Sequence, residues 1–332
     1  MTTLSIDAMG GDHGVLATVP ASMEILKDFP KVNLILVGDQ KKIENVLNRY
    51  KEHRNRLQIH HASQVVEMSE HPSQSLRKKK DSSMRIAINL VKQGLADGCV
   101  SSGNTGALMA TARFVLRTIP GIDRPAICAP LPRIRGHTYM LDLGANVDTP
   151  PEILLQFGIM GSRLVRCLSE NSNPTVGLLN IGVEEIKGNE AIKSTAELFK
   201  NSNLNYTGFV EADEIYIGDT DLVVCDGVLG NVALKASEGV AQMIMGVMKE
   251  EFTRTLPSKG AAIVSRPVLK SIKNRLDHRR FNGASLLGLQ GTVVKSHGGT
   301  DSTGFRHAIE VAIEEVQSDL VNQIRKALGE TL

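Results

Sequence analysis

Apolar and polar positions fall in blocks along this chain. Six times a short apolar run ends in a loop of Gly, Asn, Asp and Ser: residues 4–12, 99–107, 140–148, 177–182, 222–227 and 292–299. In most cases a stretch with helical periodicity follows. The pattern predicts strands over residues 4–7, 33–37, 57–60, 98–101, 126–131, 137–142, 175–181, 222–225 and 291–295. It predicts helices over 20–27, 40–50, 83–93, 105–114, 151–166, 189–200, 230–252 and 302–328, with Pro20 suited to the first turn of its helix. Strands alternating with helices imply an α/β fold, a mostly parallel sheet covered on both faces. No internal repeat or low-complexity linker interrupts the alternation, so residues 1–332 read as one domain.

A parallel sheet gathers such loops on one rim, the carboxyl edge of its strands, where α/β proteins bind ligands. Glycine there lets backbone N–H groups approach an anion, and a following helix N-terminus adds partial positive charge. Gly10, Gly11 and Asn146 lie in loops of this kind. The segment Ser101-Ser-Gly-Asn-Thr-Gly106 opens a predicted helix, which frees the N–H groups of Ser102, Gly103, Asn104 and Thr105 for an anion. The same segment is also consistent with a plain tight turn. It matches neither G-x-x-x-x-G-K-[ST] nor G-x-G-x-x-G, so triphosphate hydrolysis and the standard dinucleotide fold lose their usual support. Asn180, Lys187 and Asn189 follow another strand and offer one compact cation beside neutral donors, a mixture suited to phosphate and a developing oxyanion. Asn231 and Lys235 follow a further strand, and Lys295 and His297 sit in the last loop. Asp7, Asp12, Asp142 and Asp226 suit the orientation of loops better than contact with an anion they would repel. No G-x-S-x-G elbow occurs. If the chemistry is acyl transfer, the nucleophile belongs to the second substrate.

Composition removes several classes. The chain has no Trp, 4% aromatic residues and a net charge of +2, which argues against a nucleic-acid partner. Its four cysteines are far apart and no C-x-x-C or H-E-x-x-H pattern occurs, so no metal and no cofactor are expected, only buried thiols. No signal-peptide pattern and no run of about 20 apolar residues is present, which points to the cytoplasm. Two basic stretches stand out. Arg77, Lys78, Lys79 and Lys80 are consecutive, and residues 254–280 hold eight basic positions against Asp277 alone. The second stretch contains an apolar turn at 260–264 with Ile263 and Val264 at its end. An apolar tip flanked by Lys and Arg fits a membrane-surface hairpin over 250–280. A solvated basic helix or a dimer contact fits it too.

The ordered motifs resemble the bacterial phosphate acyltransferase (PlsX) family along essentially the whole chain. They are Asp7-Ala-Met-Gly-Gly-Asp12, Val100-Ser-Ser-Gly-Asn-Thr-Gly-Ala-Leu-Met109, Leu141-Asp-Leu-Gly-Ala-Asn146, Leu178-Leu-Asn-Ile-Gly182 with Lys187-Gly188, Asp226-Gly227 with Gly230-Asn231, and Lys295-Ser-His-Gly298. The segments 77–84 and Phe281-Asn-Gly-Ala-Ser-Leu-Leu-Gly288 belong to the same set, and Ser102 departs from the Ala often found there. The resemblance implies a Rossmann-like α/β/α sandwich related to phosphotransacetylases and isocitrate dehydrogenases. It implies transfer of a fatty acyl group from acyl-[acyl-carrier-protein] to inorganic phosphate, the acyl phosphate then feeding a membrane glycerol-3-phosphate acyltransferase. A homodimer peripherally attached to the inner face of the membrane is also implied, which tips the 250–280 stretch towards a protruding amphipathic hairpin. Carried over residue by residue, Ser102, Gly103, Asn104 and Thr105 bind phosphate, Lys187 and Asn231 polarise the carbonyl, and Lys295 and His297 contact phosphate or thioester. The basic patches suit an acidic carrier protein or anionic lipid. A phosphotransacetylase acting on acyl-CoA, a non-catalytic carrier-binding scaffold and a metal-dependent dehydrogenase of related fold are the rival readings.

Overall fold

The computed structural model describes residues 1–169, 171–276 and 281–331, so the expectations for residues 277–280 lie outside the described residues. In chain order the elements are β1 (Thr2–Asp7), α1 (Val15–Asp28), β2 (Val32–Gly38), α2 (Gln40–Leu47), β3 (Leu57–His61), α3 (Pro72–Lys78), α4 (Ser83–Lys92), β4 (Gly98–Ser101) and α5 (Thr105–Leu116). Then come β5 (Ala126–Pro132), β6 (His137–Leu141), α6 (Pro151–Leu168), β7 (Thr175–Leu179), α7 (Glu190–Lys200), β8 (Asn205–Val210), α8 (Glu214–Ile217), β9 (Leu222–Val224) and α9 (Gly227–Arg254). The last are α10 (Leu256–Val264), α11 (Arg266–Leu276), β10 (Ala284–Leu287), β11 (Thr292–Lys295), α12 (Ser302–Gln317) and α13 (Leu320–Thr331).

One 11-stranded sheet runs through the chain in the order β3-β2-β1-β4-β11-β10-β5-β6-β9-β7-β8. Neighbours on both flanks pair in parallel, whereas β10 pairs antiparallel with β11 and β5, and β5 pairs antiparallel with β6. The fold is therefore a mostly parallel α/β/α sandwich, as expected. The single-rim expectation is corrected: three successive antiparallel pairings make β6, β9, β7 and β8 run opposite to β1, β2, β3, β4 and β11. The loops after β1, β4 and β11 emerge at one edge, and those after β6, β9 and β7 at the other.

Alternation along each strand sorts side chains onto two faces. Cys99, Val293, Ile127, Ala129, Leu131, Met140 and Val223 belong to one apolar core shared with α4 and α5. On the other face Val100 and Val294 join α1 and α12, while Cys128, Leu141 and Val224 join α6 and α13. Two helix expectations need correction. α1 starts at Val15 after Gly14, whose φ is 46°, so Pro20 lies inside the helix and not in its first turn. The hydrogen bond that Pro20 cannot donate falls on the turn of Leu16, whose side chain is exposed. The long helix expected over 302–328 is two, broken at Asp319, which adopts a left-handed φ of 56°. Over residues 250–276 the chain forms the end of α9 followed by α10 and α11, with α10 packed on both of its neighbours.

Candidate active site

Three loops at the first edge interlock. The Ser102 hydroxyl donates to the Gly10 carbonyl (2.8 Å), the Asp12 N–H to the Gly298 carbonyl (2.9 Å), and the Ser296 N–H to the Ser101 carbonyl (2.9 Å). Beneath them Asp7, 1% exposed, accepts from the Ser101 hydroxyl at 2.6 Å. That hydroxyl in turn accepts from the Gly103 N–H. Burial raises the Asp7 pKa, and the bonds from Ser101, Ser83, Met9 and Gly10 pull it back only in part. Gly11 has a φ of 76°, and a Cβ there would stand 2.7 Å from the Gly298 carbonyl oxygen, so the close approach of these loops requires glycine. The Asn104 side chain caps α5 by accepting from the Ala107 N–H and donates to the Met68 and Glu70 carbonyls. It thereby ties the segment before α3 to the start of α5.

The opposite edge is built the same way. Asp142 accepts from the backbone of Ile127, Ala145 and Asn146 and from the Asn146 amide. Asp226 caps α9 and holds the backbone and hydroxyl of Thr149. A Cβ on Gly230 would collide with the Asp142 carbonyl, so α9 can pack its first turn against the 142–146 loop only with glycine there. Asn180 donates to the Gly182 and Lys187 carbonyls, and Asn189 caps α7.

Between the two edges, over the face that carries Ile127, Ala129 and Leu131, lies a cavity of about 640 Å³. Its walls are α5 (Thr105, Gly106, Met109, Ala110 and Arg113) and α9 (Asn231, Leu234, Lys235, Ser237, Glu238 and Ala241). Lys295 and His297 enter it from the first edge, Gly144 and Ala145 from the second. The cavity thus joins what strand reversal separates. Lys295 is 7% exposed; its ammonium group reaches the Ser102 carbonyl (3.4 Å) and the Ser296 carbonyl. Burial pushes its pKa down to about 8, opposed by Asp7 and Asp12 and assisted by Lys235. Lys235 pairs with Glu238 at 2.7 Å. His297 accepts at Nδ1 from the Gly299 N–H (3.2 Å), and its backbone N–H donates to the Asn282 side-chain Oδ1 (2.8 Å).

Of the residues singled out from sequence, Thr105, Asn231, Lys235, Lys295 and His297 line this cavity; Gly10, Gly11, Ser102, Gly103 and Asn104 build the adjoining loops. Lys187 is exposed and does not line it. Its loop leaves β7, two strands from β6, about 10 Å away at ordinary strand spacing. Sequence reasoning gave no role to Asn282, which joins β10 to the last loop by donating to the Ser296 hydroxyl (2.7 Å) and the Gly304 carbonyl (2.6 Å). Its only signal was its place in the 281–288 motif. Cys99, Cys128 and Cys225 are buried and their thiols are pushed up by desolvation, and no cysteine lines the cavity. Among the described residues no cluster of His, Cys, Asp and Glu fits a metal ion.

The solved structures most like this one include a phosphotransacetylase from Streptococcus pyogenes (TM-score 0.65, 14% identity, 95% of this chain and 94% of that one). The EutD phosphotransacetylase from Staphylococcus aureus matches at TM-score 0.60 and 13% identity, covering 96% and 94%. At such identities they share the fold. A family model described as fatty acid synthesis protein matches residues 2–323. Curated relatives named phosphate acyltransferase include one from Chromobacterium violaceum, 57% identical over 99% of this chain and 96% of its own length. Another, from Methylococcus capsulatus, is 55% identical over 98% and 96%. Over nearly its full length, then, this chain belongs to the phosphate acyltransferase (PlsX) family.

Proposed function

We propose that the protein transfers a long-chain fatty acyl group from the thioester of acyl-[acyl-carrier-protein] to inorganic phosphate, releasing acyl phosphate and the free carrier thiol. The observation that carries the reading is the 640 Å³ cavity, whose floor of Ile127, Ala129 and Leu131 is apolar and whose ends hold Lys295, His297 and Asn231. An acyl chain fits the apolar length, and a polyanion fits the cationic, loop-rich end. The cavity offers no thiol, and its Ser237 hydroxyl is engaged with the Ala233 carbonyl and Tyr216. In the proposed reaction a phosphate oxygen is the attacking atom: it forms the C–O bond, the C–S bond breaks, and the proton of hydrogen phosphate ends on the thiolate. Holding the two reactants together in a reactive geometry can supply about 7–11 kcal/mol of the barrier. A donor to the oxyanion supplies roughly 3–4 kcal/mol more. We assign that role to Asn231, which lines the cavity, and to Lys187, whose loop leaves the same edge of the sheet without lining the cavity.

The carrier protein docks on the basic ridge of α3, where Arg77, Lys78 and Lys80 are exposed; Lys79 is committed to Glu70 at 2.6 Å. α3 packs along α5, whose first turn lines the cavity. Leu256, Ile263, Val264 and Val268 are exposed on α10 and α11 among Arg254, Lys259, Arg266 and Lys270, and they rest on the membrane surface in a homodimer. Among the described residues no helix is long and apolar enough to cross a membrane. The acyl phosphate is then available to a membrane glycerol-3-phosphate acyltransferase. The test is incubation of purified protein with palmitoyl-carrier-protein and labelled phosphate. A labelled lipid destroyed by hydroxylamine supports the reading, and carrier binding without such a product leaves a scaffold in its place.

A further inference from the structure

The reaction moves one proton, from the P–OH of hydrogen phosphate to the departing thiolate, and few groups around the cavity can carry it. Asp7 and Asp142 are buried under the loops they hold, each occupied by several donors. Lys235 is bound to Glu238. Lys295 differs: it is a buried residue that lines the cavity, and its amino group is held against the Ser102 and Ser296 carbonyls. Those two acceptors leave a third N–H position for substrate. The charged groups acting on it are Asp7 below, Asp12 from the first loop and Lys235 across the cavity, with His297 in its own loop.

We propose that Lys295 is the proton carrier of the acyl transfer: its ammonium gives a proton to the thiolate as the C–S bond breaks, and the resulting amine takes the proton from the P–OH of the new acyl phosphate. The enzyme ends each turnover as it began, and acyl phosphate leaves as its dianion. This rests on the phosphate acyl transfer proposed above. The buried position makes the exchange feasible, because desolvation has already brought the amine down to about 8, near the roughly 8.5 of an ordinary thiol. An unperturbed lysine, at about 10.4, would release its proton to a thiolate far less readily.

The test is the pH profile of acyl phosphate formation by the full-length protein, with palmitoyl-carrier-protein as donor. For the wild type, kcat/KM for phosphate reports the free enzyme and should fall above a pH of about 8. Lys295→Arg keeps the charge but cannot exchange a proton. It should leave KM for phosphate within a few-fold, lower kcat by on the order of 10²-fold, and lose the alkaline fall. Should Arg not fit this site, Lys295→Met, close in size to the lysine stem, should show a pH-independent residual rate and a raised KM for phosphate. Either variant retaining the wild-type alkaline fall overturns the proposal, as does Lys295→Arg with kcat near that of the wild type. An alkaline fall abolished by His297→Asn but kept in both Lys295 variants assigns the proton to the imidazole instead and also overturns it. Absence of acyl phosphate with the wild type is a different result, which removes the underlying reading and the proposal with it.

Discussion

Burial acts in opposite directions on the acids and bases of this protein, and Glu315 shows the larger consequence for stability. Its side chain is 2% exposed and accepts from the Ser285 hydroxyl, and burial pushes its carboxyl up to about 8 from an ordinary 4.5. Between those two values the folded chain holds a proton that the unfolded chain releases. This contribution to stability is therefore complete below about 4.5 and is lost as pH rises towards 8. Glu315→Gln removes the ionisable group and keeps the size, so it should stabilise the protein more at pH 8 than at pH 5.5 in thermal or urea unfolding. An equal effect at both values would contradict the burial argument. In the chemistry, Lys187→Ala should cut kcat by orders of magnitude with the fold intact by circular dichroism. Near-normal turnover would remove its exposed loop from the mechanism and leave Asn231 as the polarising donor.

At the scale of elements, the roles proposed for α3, α10 and α11 rest on their exposed outer faces. Ile263 and Val264 are 76% and 83% exposed, so a charge there costs the folded protein little. Ile263→Asp or Val264→Asp should release the protein from anionic vesicles while sparing soluble activity; unaltered sedimentation with lipid would count against the hairpin. Replacing Arg77, Lys78 and Lys80 with Ala should raise KM for acyl-carrier-protein and leave phosphate dependence unchanged, and unchanged kinetics would remove α3 as the docking ridge. These ranges also show what the amino-acid pattern reveals. Strands such as β4 and β11 are buried along their whole length, so they stand out as apolar runs. β8 escapes that reading because it is a mixed, half-buried edge strand with a register shift in its pairing with β7. No helix separates β10 from β11, so no alternation sets β10 apart, and α3 is polar over most of its length. Loop architects such as Asp7 and Asp142 were visible as clusters of Gly, Asn and Asp. Met109 and Leu234 were not, because a helix stripe that walls a cavity has the same period as one packed in a core.

For the molecule as a whole, the decisive feature is the reversal of strand direction at β10, β5 and β6. Local periodicity carries no information on which distant strands pair, so the six loops could be recognised but not assigned to two edges. The reversal is what makes the cavity: it runs along β5 from the edge bearing Lys295 to the edge bearing Asn231, with α5 and α9 as walls. Fatty chain and phosphate can then lie in one space while neither needs a covalent hold on the protein. Direct attack by phosphate predicts that labelled free carrier protein is not exchanged into palmitoyl-carrier-protein when phosphate is absent. Exchange of the label at a rate comparable to turnover, in scrupulously phosphate-free buffer, would mean that the protein itself takes the acyl group and would contradict the account.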